Sequence, residues 1–297
     1  MRTKTSALLI GIVMISMVAN IGCKETTHFE RGKKAFDDEE WDKAIAELTE
    51  AIQFDSKNVS AYSIRGKAYL LKGEDDKAIT DFTKTIRLDP KHTEAYVDRA
   101  WAHFHKEDDD KAIADCTEAI RLNPKYADSY SLRGEIYNLK GDYDKSIADL
   151  TEAIRLNPKD INAYRSRGWV HRYRGDHDEA IDDCSHVIRL NPKDHLAYCI
   201  RGGAYLDKGD YDKAITDCTD VIRLNPEFAM AYHVRGGAYL EKGDYNTAID
   251  DCTEAIRHDP KYAVAYKRRG TAYLRKGNLD KAEADFAVAK KLGLSSE

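Results

Sequence analysis

VSAYSIRGKAYLLKGEDDKAITDFTKTIRLDPKH, residues 59–92, holds two helical patterns with a stop after each. In its first half Tyr62, Gly66 and Tyr69 fall at helical spacing, so one face offers aromatic bulk while the glycine lets a neighbouring helix come close. Gly73 ends that helix, because glycine tolerates the left-handed backbone that follows a helical C-terminus. In the second half Ala78, Ile79, Phe82 and Ile86 make a second apolar stripe. Pro90 closes it, since the residue before a proline is pushed out of helical geometry. The stretch is a helical hairpin.

Working outward, the same hairpin recurs. All six prolines, Pro90, Pro124, Pro158, Pro192, Pro226 and Pro260, are separated by 34 residues, and the hairpin glycine returns as Gly141, Gly175, Gly209, Gly243 and Gly277. A fixed period of this length is the mark of a stacked repeat array, in which each unit needs its neighbours to cover its apolar face. Eight units follow, 25–58 (divergent), 59–92, 93–126, 127–160, 161–194, 195–228, 229–262 and 263–296. In the eighth, Glu283 and Lys290 replace the isoleucines of the other second helices, as a terminal helix facing water requires, and the array is expected to close near residue 292.

In the unit 127–160, Tyr130, Gly134, Tyr137, Leu150, Ala153 and Pro158 stand at the offsets of the tetratricopeptide signature, and the chain resembles that family from residue 25 to 296. The resemblance implies an all-α, right-handed superhelical solenoid of eight antiparallel helix hairpins. It also implies a protein-binding scaffold that is not an enzyme and needs no cofactor, with the partner held in a groove lined by first-helix residues such as Ser63, Lys67 and Leu70. Some members grip a chain-terminal carboxylate with Lys and Asn at set places. The matching places here hold Ser63, Ile64, Lys67, Val97 and Asp98, so that clamp is not reproduced.

Composition fits this reading. Charged residues make up 33% and hydrophobic residues 42% of the chain, a balance suited to many amphipathic helices. The formal charge is −5 and falls to −7 without Arg2 and Lys4, so the overall field repels polyanions and nucleic acid is not an expected partner. Arg2 and Lys4 precede an uncharged run from Thr5 to Gly22 whose apolar heart, Ala7 to Ala19, is too short to span a bilayer, and residues 1–22 read as an export signal. Asn20-Ile21-Gly22-Cys23 resembles a bacterial lipoprotein box, with Asn20 where the family prefers Leu. That implies lipidation at Cys23, a membrane tether and a place at a bacterial cell envelope; an uncleaved signal anchor is the other reading.

Every unit carries an arginine in its first helix and an acid 16 residues later, from Arg31 and Glu47 to Arg269 and Asp285. The spacing predicts an ion-pair ladder within units or between adjoining ones. Of the six cysteines, Cys116, Cys184, Cys218 and Cys252 stand where other units have Phe82, Leu48, Leu150 or Phe286, so they read as core residues, with Cys199 alone expected to face the groove. His103 and His171 replace a recurring tyrosine and read as packing residues rather than metal ligands. No nucleophile, base and orienter stand at motif spacing.

Large residues without a packing need mark the candidate binding site. Val97, Trp101 and Phe104 form one apolar strip; Arg165, Trp169 and Arg172 repeat its geometry two units later with cationic flanks. A peptide is expected there with an apolar side chain near Trp101 and acidic character near Arg165 and Arg172. Gly203 and Gly237 are expected to leave their part of the groove open. The alternative, that Trp101-Ala102-His103 and Trp169-Val170-His171 record a duplicated block with inherited packing, goes with a structural or self-associating role for the array.

Overall fold

The computed structural model describes residues 27–294. Among them are helices and no strand: α1 over 27–37, α2 Trp41–Phe54, α3 Val59–Leu71, α4 Asp75–Leu88, α5 Thr93–His105, α6 Asp109–Leu122, α7 Ala127–Leu139, α8 Tyr143–Leu156, α9 Ile161–Arg174, α10 His177–Leu190, α11 His195–Lys208, α12 Tyr211–Leu224, α13 Ala229–Glu241, α14 Tyr245–His258, α15 Ala263–Arg275 and α16 Leu279–Lys291. The chain divides into two compact units, the first running to Ile136 and the second from Tyr137. Each is an all-α stack of antiparallel hairpins of the solenoid type. Cys23 and the leader 1–22 lie outside the described residues.

Local chemistry sets the ends of the hairpins. Asn58, Asp160 and Asp194 cap α3, α9 and α11 by accepting from the N–H groups of Ala61, Ala163 and Ala197. The turn after α9 closes on Gly175 at φ 86°, with Gly175 N donating to Arg172 O and Asp176 N to His171 O. α4 stops at Leu88 because Asp89, before Pro90, has left the helical region at φ −131°.

Within a hairpin, the small residue of the first helix meets the bulkiest core side chain of the second. A Cβ added at Gly66 would lie 2.7 Å from Phe82 Cε1, and at Gly168 it would lie 2.9 Å from Cys184 Sγ. In α5 alanine takes the glycine's place, and Ala100 shares its core with the smaller Cys116. Cys116, Cys184, Cys218 and Cys252 are all buried free thiols, as their place in the repeat predicts. Burial pushes Cys184 far up, and Cys252 up to about 12, so neither offers a thiolate at neutral pH.

Cys199 departs from expectation: it is fully buried, packed with Cys218, Ala231 and Val234, because α13 lies on α11 and covers it. Packing of this kind is general for odd-numbered helices. α9 rests on α11, α11 on α13 and α13 on α15 in the second unit, and α3 on α5 in the first, so these helices make a layer of their own. The even helices pack against these, and α2, α4, α8, α10, α12 and α14 each also pack on the first helix of the next hairpin. Glu283 and Lys290 of α16 are both exposed.

The ladder runs along the seam between the two helices of a hairpin. Arg65 grips Asp81 with two bonds of 2.8 Å, Arg167 grips Asp183 at 2.8 and 2.7 Å, and Arg99, Arg201, Arg235 and Arg269 hold Asp115, Asp217, Asp251 and Asp285 in the same way. It also joins neighbouring hairpins: the free Nη1 of Arg65 donates to Thr49 at 2.9 Å, that of Arg167 to Thr151 at 3.0 Å and that of Arg201 to Ser185 at 3.0 Å. A tyrosine ring three residues earlier supports each guanidinium, as with Tyr164 under Arg167 at 5.7 Å. Burial still weighs heavily here. It pushes the carboxyls of Asp217 and Asp251 up despite the arginine pulling them down.

Candidate functional site

The site residues read from the sequence all lie on odd-numbered helices, and the structure treats them differently. In the first unit Val97 is only 3% exposed and packs with Leu132 and Ile136, so its side chain belongs to the core of α5 and α7. Trp101 and Phe104 are partly exposed, edge to face with ring centroids 5.9 Å apart. The strip presents two rings rather than three side chains.

In the second unit Trp169 lies against the exposed Tyr173, ring centroids 5.2 Å apart, and edges a cavity of about 240 Å³ lined by Asn138, Arg165, Ser166, Trp169, Leu196 and Ile200. The lining joins apolar Leu196 and Ile200 with polar Asn138, Arg165 and Ser166. Its arginines are already engaged. Arg165 donates to Asp194 at 2.8 Å and to Asn162 at 2.7 Å, and Arg172 donates from Nε to Asp207 at 2.7 Å. The acidic character expected of a ligand near these two is supplied by the chain itself, because Asp194 at the cap of α11 and Asp207 near its end reach back to α9. A second cavity, of about 420 Å³, lies beyond, lined by Arg172, Tyr173, Arg174, Gly175, His177 and Asp207.

Gly203 and Gly237 do not leave open space. A Cβ built on Gly203 would run into the guanidinium of Arg172, and one on Gly237 into that of Arg268. The missing side chains are the seats of two arginines, which converge on α11 and α13 from α9 and α15.

Arg268 was not singled out by sequence reasoning, which followed aromatic residues. Its signal was there: its place holds Ile64, Leu132, Ile200 and Val234 in four units and Glu30, Asp98 and Ser166 in three, and only the eighth puts a cation there. Arg268 Nη1 donates to the carbonyl of His233 at 2.7 Å. Among the described residues no carboxylate lies within ion-pair reach of it. Burial, with the neighbouring Arg172, makes it give up its proton more readily than an ordinary arginine. His233 is buried with Nδ1 unpartnered, and burial together with Arg268 and Arg172 holds it neutral. Tyr262, tilted against His233 at 4.9 Å, is pushed up to about 12 by burial and keeps its proton.

Models of the tetratricopeptide repeat match at 59–92, 76–127, 127–160, 161–194, 201–263 and 239–289, and one of the TPR repeat at 32–73. The chain belongs to the tetratricopeptide repeat family. No curated protein matches it in sequence. Among solved structures it is similar to a tetratricopeptide repeat protein from Parabacteroides merdae ATCC 43184, at 19% identity, with 84% of this chain and 98% of that one covered and a TM-score of 0.63. It is similar to MamA protein at 30% identity, 58% and 94% coverage and a TM-score of 0.52. It also matches YrrB, described as a TPR protein with an unusual peptide-binding site, at 22% identity, 62% and 95% coverage and a TM-score of 0.53.

Proposed function

We propose that the chain is a protein-interaction scaffold that takes a peptide segment of a partner protein on the odd-helix layer of its second unit, with an apolar side chain seated beside Trp169. The cavity of about 240 Å³ lined by Trp169, Leu196 and Ile200 carries this reading: an indole beside apolar side chains with a few polar groups is the composition of a binding hot spot. Trp101 and Phe104 supply a lesser apolar contact in the first unit. Cys23 in its lipoprotein-like box fits an exported scaffold tethered by lipid at a bacterial envelope, and [³H]palmitate labelling of wild type against Cys23→Ala in a bacterial host tests that tether.

The binding reading is tested by recovering partners with the membrane-extracted protein and titrating the recovered partner against tryptophan fluorescence. Trp169→Ala is expected to weaken binding at least about 30-fold, the effect of losing a contact worth about 2 kcal/mol, and Trp101→Ala less. Undiminished affinity in both variants ends the proposal.

A further inference from the structure

We propose that Arg268, with Arg172, His233 and Tyr262 around it, forms a receptor for one carboxylate group of a protein partner, so that the peptide carries an acidic group in addition to the side chain that meets Trp169. The inference rests on the binding reading above and adds the chemical class of its second anchor.

The seam shows what this chain does with buried guanidinium groups: Arg65, Arg99, Arg167, Arg201, Arg235 and Arg269 each hold a carboxylate with two bonds. Arg268 is set at least as deeply and has a single backbone carbonyl. Holding a cation largely out of water without a counter-ion is unfavourable, and the fold had an apolar alternative, since Val234 and Ile200 fill the same place. The arginine is not there for packing.

What surrounds it selects the ligand. Two guanidinium groups, Arg172 and Arg268, lie against glycines of adjacent helices, and among the described residues the one carboxylate paired with either is Asp207, on Arg172. Two cations against one anion leave one positive charge uncompensated, which a single carboxylate neutralises and a dianionic phosphate would overshoot. The neighbours are neutral groups with hydrogen-bonding capacity: the Tyr262 hydroxyl, held protonated, and the His233 imidazole, whose Nδ1 has no partner. A guanidinium offers parallel N–H groups that match a carboxylate's two oxygens. Arg268 keeps part of its surface, and a cavity of about 420 Å³ lies beside its neighbours Arg172 and Asp207. The composition of this cluster differs from the Lys and Asn clamp of other family members.

The test uses the full chain and guanidinium Nε–Hε signals in ¹H–¹⁵N spectra, with the Arg268 signal identified by its loss in Arg268→Met. Four probes are titrated: a blocked alanine pentapeptide with a central glutamate, the same peptide with glutamine, an unsubstituted alanine pentapeptide with a free C-terminal carboxylate, and inorganic phosphate. The glutamate peptide, the free-ended peptide or both are expected to shift the Arg268 signal saturably, and which does so tells a side-chain carboxylate from a chain end. Glutamine is expected to do nothing. Arg172→Met is expected to weaken the effective probe at least threefold, and Arg268→Met to melt no lower than wild type, because no ion pair is lost. The proposal is overturned if neither carboxylate probe saturates, if glutamine shifts the signal equally, if inorganic phosphate binds more tightly than either peptide, or if Arg268→Met and Arg268→Lys both melt well below wild type. A recovered partner that loses affinity with Trp169→Ala but not with Arg268→Met would sink the carboxylate receptor and leave the groove reading standing.

Discussion

Asp98 in the first unit and Arg268 in the second occupy the same place in the repeat, where Leu132, Ile200 and Val234 are buried at 1%, 3% and 2% exposure. Both put a charge on the odd-helix layer where the fold can use an apolar side chain, and both differ from the seam, where each carboxylate meets an arginine in register. Asp98 has a partial counter-ion, Lys67 Nζ at 3.5 Å from Oδ2, an oxygen with no hydrogen bond. Arg268 has none. A charge buried with a matched partner at every repeat is architecture; a charge buried without one is a demand left for something else to meet.

Asp183→Leu leaves Arg167 buried beside Thr151 and Tyr164 with its charge unanswered, and is expected to destabilise by about 3–5 kcal/mol. Arg167→Leu should be similarly harmful. The double variant should lose less than the sum of the two by at least about 2 kcal/mol, read from denaturant melts as a double-mutant cycle. Additive losses would mean that the seam pairs are not coupled, and the contrast with Arg268 would lose its reference.

Asp98 sharpens the other side. Burial raises its carboxyl to about 6, against the pull of Lys67. With the folded-state pKa above the unfolded one, the folded state holds the proton more tightly, so stability is greatest at acid pH and falls as pH rises between about 4 and 6. The loss is on the order of 2 kcal/mol. Asp98→Leu, copying Leu132, is expected to flatten that part of the stability profile and raise the melting temperature at pH 7. An unchanged profile would show that Asp98 ionises freely.

Those two charges also show where the sequence was legible and where it was not. The hairpins, their ends and the seam follow from a 34-residue period, because a contact made once per repeat is written eight times and a chance match is written once. The arginine at one end of the pair and the acid 16 residues on could be joined without coordinates. What the period cannot say is which way a side chain turns when its place is unique. Val97 looked free and is core, since α7 lies over it with Leu132 and Ile136. Cys199 looked like a groove residue and is covered by α13. Arg165 and Arg172 looked like unspent charges, but Asp194 and Asp207 are 29 and 35 residues away in sequence and meet them only across helices. Gly203 and Gly237 looked like gaps because a glycine records only its own absence of side chain, not the arginine that fills it.

The smallest effect lies at the hairpin turns. Glu107 takes the turn at φ 59°, with Glu107 N donating to Phe104 O at 2.9 Å and Asp108 N to His103 O at 2.9 Å. Gly141 makes the same two bonds at φ 76°, to Asn138 O at 3.0 Å and, through Asp142, to Tyr137 O at 2.9 Å. Identical hydrogen bonds with different side chains isolate the steric term: a Cβ in the left-handed region is unfavourable by roughly 1 kcal/mol, part of which glycine returns through its freer unfolded chain. Glu107→Gly is therefore expected to stabilise the first unit by about 0.5–1 kcal/mol, and Gly141→Ala to destabilise the second by a similar amount, both read as shifts of the denaturation midpoint at constant slope. Should Glu107→Gly lower the midpoint, the glutamate side chain would have to hold something at that turn, and Glu107 would join Asp98 and Arg268 among the places where a departure from the repeat serves a purpose of its own.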